Sequence, residues 1–153
     1  MSEAATPWVD AAPFRAHLRH VMAVGDMGVD VVAALTGIST RAARHLLNGR
    51  GGRPVRRISP DTARRLLRVT SADARWAGQR LVPAPATATR LNDLLAAGHS
   101  LDELAVEVHI AAAELLALAE GRRDACTPLV EARLAALHRA MGARYDLIYS
   151  LAS

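Results

Sequence analysis

The residues of this chain best suited to bind a ligand are arginines in one short stretch. The segment STRAARHLLNGRGGRPVRR, residues 39–57, holds six arginines and no acidic residue. Guanidinium groups stay charged at physiological pH and can bond phosphate or carboxylate through two parallel N–H groups. Because like charges packed this densely repel one another, the stretch predicts a polyanion as partner.

The charge of the chain is divided unevenly along its length. Residues 1–80 hold 13 arginines and 6 acidic residues, whereas residues 81–153 hold 6 arginines and 9 acidic residues. Within residues 41–68, nine arginines stand against one acid, Asp61, and every basic residue of the chain is arginine. We therefore expect the polyanion to be bound by the N-terminal half.

The composition and the residues that typically begin helices predict an all-α protein. Half of the residues are apolar, and alanine and leucine supply most of them, which favours helix over strand. Ser59-Pro60 and Thr127-Pro128 each combine a capping hydroxyl with a proline at the first helical position. The predicted helices cover about 11–24, 29–36, 39–48, 59–70, 71–80 (with Ser71 as cap), 88–97, 101–108, 111–120 and 128–141. A last short helix at 142–153 should pack Tyr145, Ile148 and Tyr149 onto the body.

An internal repeat predicts the domain organisation. VVAALTGIS (31–39) aligns with ELAVEVHIA (103–111), and the same offset of 72 places Leu46 on Leu118 and Gly49 on Gly121. We therefore expect two units of about four short helices each, at 1–81 and 90–153. VPAPATAT (82–89) is predicted to be the linker, since its prolines disfavour helix.

Residues 29–48 carry the pattern of two crossed helices. Ala33 is small enough for a close crossing, Gly37 supplies the turn, and Ile38, Ala43 and Leu46 should point into the core. This pattern resembles the helix-turn-helix of phage repressors and related bacterial regulators, and the repeat resembles tandem helix-turn-helix DNA-binding proteins of actinobacteria and actinophages. The resemblance implies that the second helix of the motif enters the DNA major groove. The outward, reading residues would be Ser39, Thr40, Arg41, Arg44, His45 and Asn48.

The resemblance and the charge together predict a sequence-specific, repressor-like regulator that binds double-stranded DNA. Beside the reading helix, the loop 49–57 would follow phosphates or enter the minor groove through Arg50, Arg53, Arg56 and Arg57. Its three glycines lead us to expect a flexible loop that is ordered only on DNA. The plainer alternative is a solvated surface helix followed by a disordered connector.

The second unit departs from this pattern. Its outward positions become Ala111, Ala112, Ala113, Leu116, Ala117 and Glu120, which offer no donor for a base. His109 replaces the turn glycine, so a distorted turn is expected. The apolar face is either a homodimer interface, made by Ala112, Ala113, Leu116 and Ala117, or is covered by the C-terminal helix of the same chain. A third alternative is a contact of Arg122 and Arg123 with the DNA backbone.

Other candidate chemistry is weaker. His17 and His20 have a metal-compatible spacing but no matching cluster, and Cys126 is expected to be a packing residue, so we expect no metal, no cofactor and no enzyme. Trp8 and Trp76 are interpreted as hydrophobic anchors. The single cysteine, the absence of a signal pattern and the absence of a long apolar run lead us to expect a soluble cytoplasmic protein.

Two other function classes stay open. One is a protein-interaction module, such as an antitoxin or a scaffold with an acidic partner, in which DNA binding is secondary or absent. RNA binding is the weaker one, because aromatic platforms for stacking bases are scarce.

Overall fold

The chain folds into short helices joined by tight connections, as described for residues 7–152 by a computed structural model. The helices are α1 Ala12–Gly25, α2 Val29–Thr36, α3 Thr40–Asn48, α4 Pro60–Leu67, α5 Ser71–Trp76, α6 Pro85–Ala96, α7 Leu101–Val108, α8 Ala112–Ala119 and α9 Pro128–Ala152. Four two-residue strands accompany them: β1 Val9–Asp10, β2 Arg57–Ile58, β3 Val82–Pro83 and β4 Ala125–Cys126. The predicted all-α class is confirmed.

The chain divides into two compact units, Met1–Trp76 and Ala77–Ser153. Both described units share one element order: a strand, three helices, a second strand antiparallel to the first, and a further helix. Unit 1 has one more helix, α5, after this shared set. Unit 1 pairs Val9 with Ile58, and unit 2 pairs Val82 with Cys126. The internal repeat is therefore present in the backbone as well as in the sequence.

The core of each unit is built from the same positions of the repeat. Helix faces contribute branched aliphatic side chains that are almost completely buried, which supplies most of the favourable free energy of folding. The pairs related by the repeat are Leu18 and Leu91, Val21 and Leu94, Val32 and Leu104, Ala43 and Leu115, Leu46 and Leu118, and Leu66 and Leu134. The predicted core positions Ile38, Ala43 and Leu46 are all buried.

The predicted linker at 82–89 is wrong. Val82–Pro83 forms β3, and α6 begins at Pro85. A proline at the start of a helix is tolerated because the first turn leaves its N–H groups unpaired anyway. The first unit also ends at Trp76 rather than at 81, since the backbone N–H of Leu129 donates to the Ala77 carbonyl within unit 2 at 2.8 Å.

Hydroxyl caps set most of the helix starts. The side chains of Ser39, Ser59 and Ser100 each accept the backbone N–H three residues later. The expected Ser71 cap of α5 is wrong, because Thr70 takes that role. Its hydroxyl accepts from the Asp73 N–H at 3.1 Å, and the Asp73 carboxylate accepts from the Thr70 N–H at 2.9 Å, which forms a reciprocal capping box.

The C-terminal segment differs from the prediction. The two helices expected at 128–141 and 142–153 are one continuous helix, α9. Tyr145, Ile148 and Tyr149 were expected to pack onto the body, but they are 46%, 62% and 72% exposed. Helical hydrogen bonding continues through Gly142, which weakens a helix without ending it. The second half of α9 therefore extends beyond the core that its first half covers.

Candidate nucleic-acid interface

The turn between α2 and α3 has the predicted form and is held by an arginine. Gly37 adopts a left-handed conformation, with φ of 81°, and its N–H donates to the Ala33 carbonyl at 2.9 Å. The guanidinium of Arg65 donates to the Gly37 carbonyl at 2.7 Å and also pairs with Asp61 at 2.9 Å. Arg65 thus joins α4 to the turn that precedes α3.

The outward face of α3 carries the predicted side chains. Arg41, Arg44, Asn48 and Ser39 are exposed, whereas Thr40 and His45 are half-buried. The Ser39 hydroxyl caps the helix by accepting from the Ala42 N–H at 3.0 Å. The helix therefore presents two arginines and an asparagine on a backbone whose opposite face is packed in the core.

Two arginines that the sequence analysis did not single out fix the other end of α3. Arg15 donates from Nε to the Leu46 carbonyl at 2.7 Å and from Nη2 to the Val55 carbonyl at 2.5 Å. Arg19 donates to the Leu47 carbonyl at 3.2 Å. Cations at a helix C-terminus satisfy carbonyls without partners and oppose the negative end of the helix dipole. In the sequence, the only sign of this role is that Arg15 and Arg19 are four residues apart and so share one face of α1.

The loop after α3 contains a defined β-turn. Arg50 and Arg53 exchange backbone hydrogen bonds at 2.9 and 3.1 Å, and Gly51 and Gly52 between them have φ of 56° and 76°. Two residues with positive φ form the turn that suits a hairpin's twist. A Cβ on Gly49 would lie 2.1 Å from the Arg53 carbonyl oxygen. In the structure the glycines form a tight turn, and Arg50 and Arg53 lie directly opposite each other across it. That the loop becomes ordered only on DNA stays a prediction.

An exposed tryptophan lies beside the last two arginines of the loop. Trp8, Pro54, Val55 and Arg56 contribute to a shallow groove of about 490 Å³, which Arg57 and Asp10 also line. Trp8 is 61% exposed, so its interpretation as a hydrophobic anchor is wrong, and Trp76 is also exposed. An indole next to guanidinium groups can stack on a nucleobase or sugar while the cations bond phosphate.

One acidic residue faces the arginines of α3. The Asp30 carboxylate, in the first turn of α2, pairs with Arg44 at 3.0 Å, with both side chains more than half exposed. Arg41 forms no ion pair with any residue between 7 and 152. The two predicted reading arginines therefore differ in the free protein: one is held by a carboxylate and the other is not.

The second unit keeps the turn and changes the surface. His109 has φ of 59° and ψ of 42°, and its N–H bonds back to α7 as that of Gly37 bonds to α2. The expected distortion of this turn is wrong, because the histidine adopts the glycine-like conformation at a cost of about 1–2 kcal/mol.

The apolar face of α8 stays partly open. Ala113 is exposed and Leu116 is 38% exposed, while Ala112 and Ala117 are half-buried. The alternative in which the C-terminal helix covers this face is therefore wrong for Ala113 and Leu116.

The arginines next to α8 are engaged by acids of their own unit. Arg122 pairs with Glu120 at 2.6 Å, and Arg123 pairs with Glu114 at 3.3 Å. These pairs reduce the positive potential that this surface would offer to a phosphate. They weaken the alternative in which unit 2 contacts the DNA backbone.

The other candidate groups, His17 and Cys126, have surroundings that fit a role in packing. His17 Nε2 lies 2.8 Å from the Val69 carbonyl oxygen and 3.1 Å from that of Leu66, at the C-terminal end of α4. The described residues contain no group of three metal-ligating side chains. Burial raises the pKa of the Cys126 thiol above its ordinary value, and this outweighs the opposing effect of the Thr87 hydroxyl.

Among the described helices, none has the length and apolarity needed to cross a bilayer.

Comparisons with models of protein families, with curated proteins and with solved structures found no match for this chain.

Proposed function

We propose that unit 1 binds double-stranded DNA with sequence specificity and that the protein acts as a repressor-like transcriptional regulator. The observation that carries the proposal is the exposed face of α3, which presents Arg41, Arg44 and Asn48. Ala43 and Leu46 hold the opposite face in the core. A helix fixed in this way can present its side chains to base edges in the major groove.

The hairpin supplies the second part of the surface. Arg50, Arg53, Arg56 and Arg57 are exposed on the segment that follows α3. Phosphate contacts of this kind give affinity without reading sequence, and each contact releases a counterion from the DNA. We propose that α3 discriminates between sequences while the hairpin and β2 supply most of the binding free energy.

The Asp30–Arg44 pair fits this assignment. An exposed ion pair contributes only about 0–1 kcal/mol, so DNA can displace it. Asp30 holds Arg44 in one orientation before binding and adds a negative charge that disfavours random phosphate contacts. Both effects favour a correct base over a non-specific backbone contact.

Unit 2 has a different role in this proposal. At the positions that correspond to Arg41 and Arg44 it carries Ala113 and Leu116, and acidic residues engage its nearby arginines. We propose that it supports protein association, including a homodimer. If association with another protein is the main activity, the protein is an interaction module with secondary DNA binding, and the exposed apolar side chains of unit 2 favour that second candidate.

A selection of bound duplexes from a random double-stranded pool tests the proposal. We expect the bound duplexes to share a common sequence, and the number of chains bound per duplex to match the number of copies of that sequence. The affinity should fall as the salt concentration rises. The Arg41→Ala/Arg44→Ala double variant is the control and should enrich no common sequence. Enrichment of no sequence by the wild type, together with equal competition by random DNA and an acidic polypeptide, would support the interaction module instead.

A further inference from the structure

The end of α9 is the largest exposed apolar feature of the described chain. Within residues 145–151, five large apolar side chains are 46% to 81% exposed: Tyr145, Leu147, Ile148, Tyr149 and Leu151. We call residues 142–152 the α9 tip. Soluble proteins seldom leave so many large apolar groups together on the surface unless a partner covers them.

The apolar face of the tip continues the face that packs the core of unit 2. Val130 and Leu134 are buried, and Leu137 and Met141 pack against the core with partial burial. Tyr145 and Ile148 follow at the same helical spacing but are exposed. A helical stripe with this period is typical of a contact surface, and a short solvated helix end gains little stability by itself.

A groove lies directly beside the exposed stripe. It has a volume of about 330 Å³, and its mostly apolar lining also includes one charged side chain, Arg144: Ala97, His99, Leu137, Ala140, Met141, Arg144, Tyr145 and Ile148. The same surface therefore offers both projecting apolar side chains and a recess that can receive such side chains. This is the property that a two-fold contact between identical chains requires.

We propose that the α9 tip binds the α9 tip and groove of a second copy of this chain, forming a homodimer. The tip contains one arginine, Arg144, and one acid, Asp146, so two tips meet without net charge repulsion. Leu147 lies on the side of the helix away from Tyr145 and Tyr149, so one face of the tip cannot bury all five side chains at once. The contact is therefore smaller than the roughly 1,200 Å² of specific stable interfaces, which is typical of a weak association. The α8 face offers a single exposed leucine, Leu116, so the tip is the larger interface.

The consequence for DNA depends on the proposed function. Two copies joined through α9 would carry two α3 helices, as recognition of two half-sites requires. The association itself does not depend on DNA and can fail or succeed independently.

Sedimentation equilibrium of the full chain over a micromolar concentration range tests the proposal. We expect a dimer whose dissociation constant rises at least ~tenfold in Ile148→Glu and in Leu151→Glu, because a carboxylate would be buried in an apolar contact. Val106→Glu is the matched control: Val106 is 76% exposed on α7 of the same unit, and its replacement should leave association unchanged. Circular dichroism should show the same helix content in all three variants.

Several outcomes would overturn the proposal. A monomeric wild type, an unchanged dimer in both tip variants, or equal dissociation by Val106→Glu would each do so. Helix content in both tip variants below that of the wild type at a concentration where the wild type is also monomeric would show that the tip packs within its own chain. Wild-type dimers that bind no DNA sequence specifically would refute the proposed function but support the proposed dimer. Wild-type monomers that bind a single half-site specifically would refute the dimer but support the proposed function.

Discussion

The guanidinium of Arg44 lies 3.0 Å from the carboxylate of Asp30, which joins the outward face of α3 to the first turn of α2. Asp30 is thus the acid in direct contact with the proposed reading surface. The repeat places Asp102 at the corresponding position of unit 2, where Leu116 stands in place of Arg44. The acid is therefore kept in both units, whereas the arginine that pairs with it in unit 1 is replaced by a leucine in unit 2.

Replacing Asp30 by asparagine should strengthen binding to all DNA and reduce discrimination. The change removes a negative charge near the phosphates and frees Arg44 for non-specific contacts. We expect a gain of roughly 0.5–1 kcal/mol on random duplex and a smaller gain on the preferred duplex, measured by fluorescence anisotropy at fixed salt. Asp102→Asn is the matched control and should change neither affinity. A loss of affinity for random DNA in Asp30→Asn would contradict this role.

Arg44→Ala and the hairpin variants should affect binding in different ways. Arg44→Ala should cost roughly 1–3 kcal/mol on the preferred duplex and less on random DNA, because it removes a contact to a base edge. Arg50→Ala/Arg53→Ala should weaken all duplexes alike and flatten the dependence of affinity on salt, because these residues bind phosphate. If Arg44→Ala lost the same binding free energy on the preferred and on the random duplex, the role of Arg44 would be electrostatic only.

The exposed indole of Trp8 should report on DNA binding. Trp8 lies beside Arg56 in the groove of unit 1, so DNA that follows the arginines should stack on or cover it. In a Trp76→Phe background, which leaves Trp8 as the single tryptophan, saturating duplex should quench or shift its emission. The Trp8→Phe variant, which retains Trp76, serves as the control and should show a smaller change. An unaltered Trp8 signal at saturation would place the DNA away from this groove.

His109→Gly should stabilise the protein. The histidine occupies a left-handed conformation that costs an L-residue about 1–2 kcal/mol, and glycine removes that cost while adding flexibility to the unfolded chain. The expected net gain in free energy of unfolding is about 0.5–1 kcal/mol, measured by urea denaturation. The reciprocal variant Gly37→His should lower stability at the equivalent turn of unit 1. Destabilisation by His109→Gly would mean that the side chain makes a contact worth more than the conformational cost.

Local sequence signals were sufficient for the helices and for the core. The capping hydroxyls of Ser39, Ser59 and Ser100 act within one turn of helix, and apolar spacing decides which face is buried. The repeat could be predicted because each unit buries equivalent positions, such as Leu18 and Leu91. The outward exposure of Arg41 and Arg44 was implied by the resemblance to the helix-turn-helix, and both residues are exposed.

Tertiary structure decided the features that depend on distant residues. The sequence by itself determined that arginines are concentrated at 41–57, but it could not show that Asp30 engages Arg44 or that Arg15 binds the end of α3. It identified the glycines of the loop but not the hairpin, because the same glycines permit both disorder and a tight turn. It identified Tyr145 and Ile148 as apolar, yet burial depends on whether another surface lies opposite them. Periodicity specifies a face of a helix, whereas only the packed chain specifies what that face contacts, and Tyr145 and Ile148 are left 46% and 62% exposed at the end of α9.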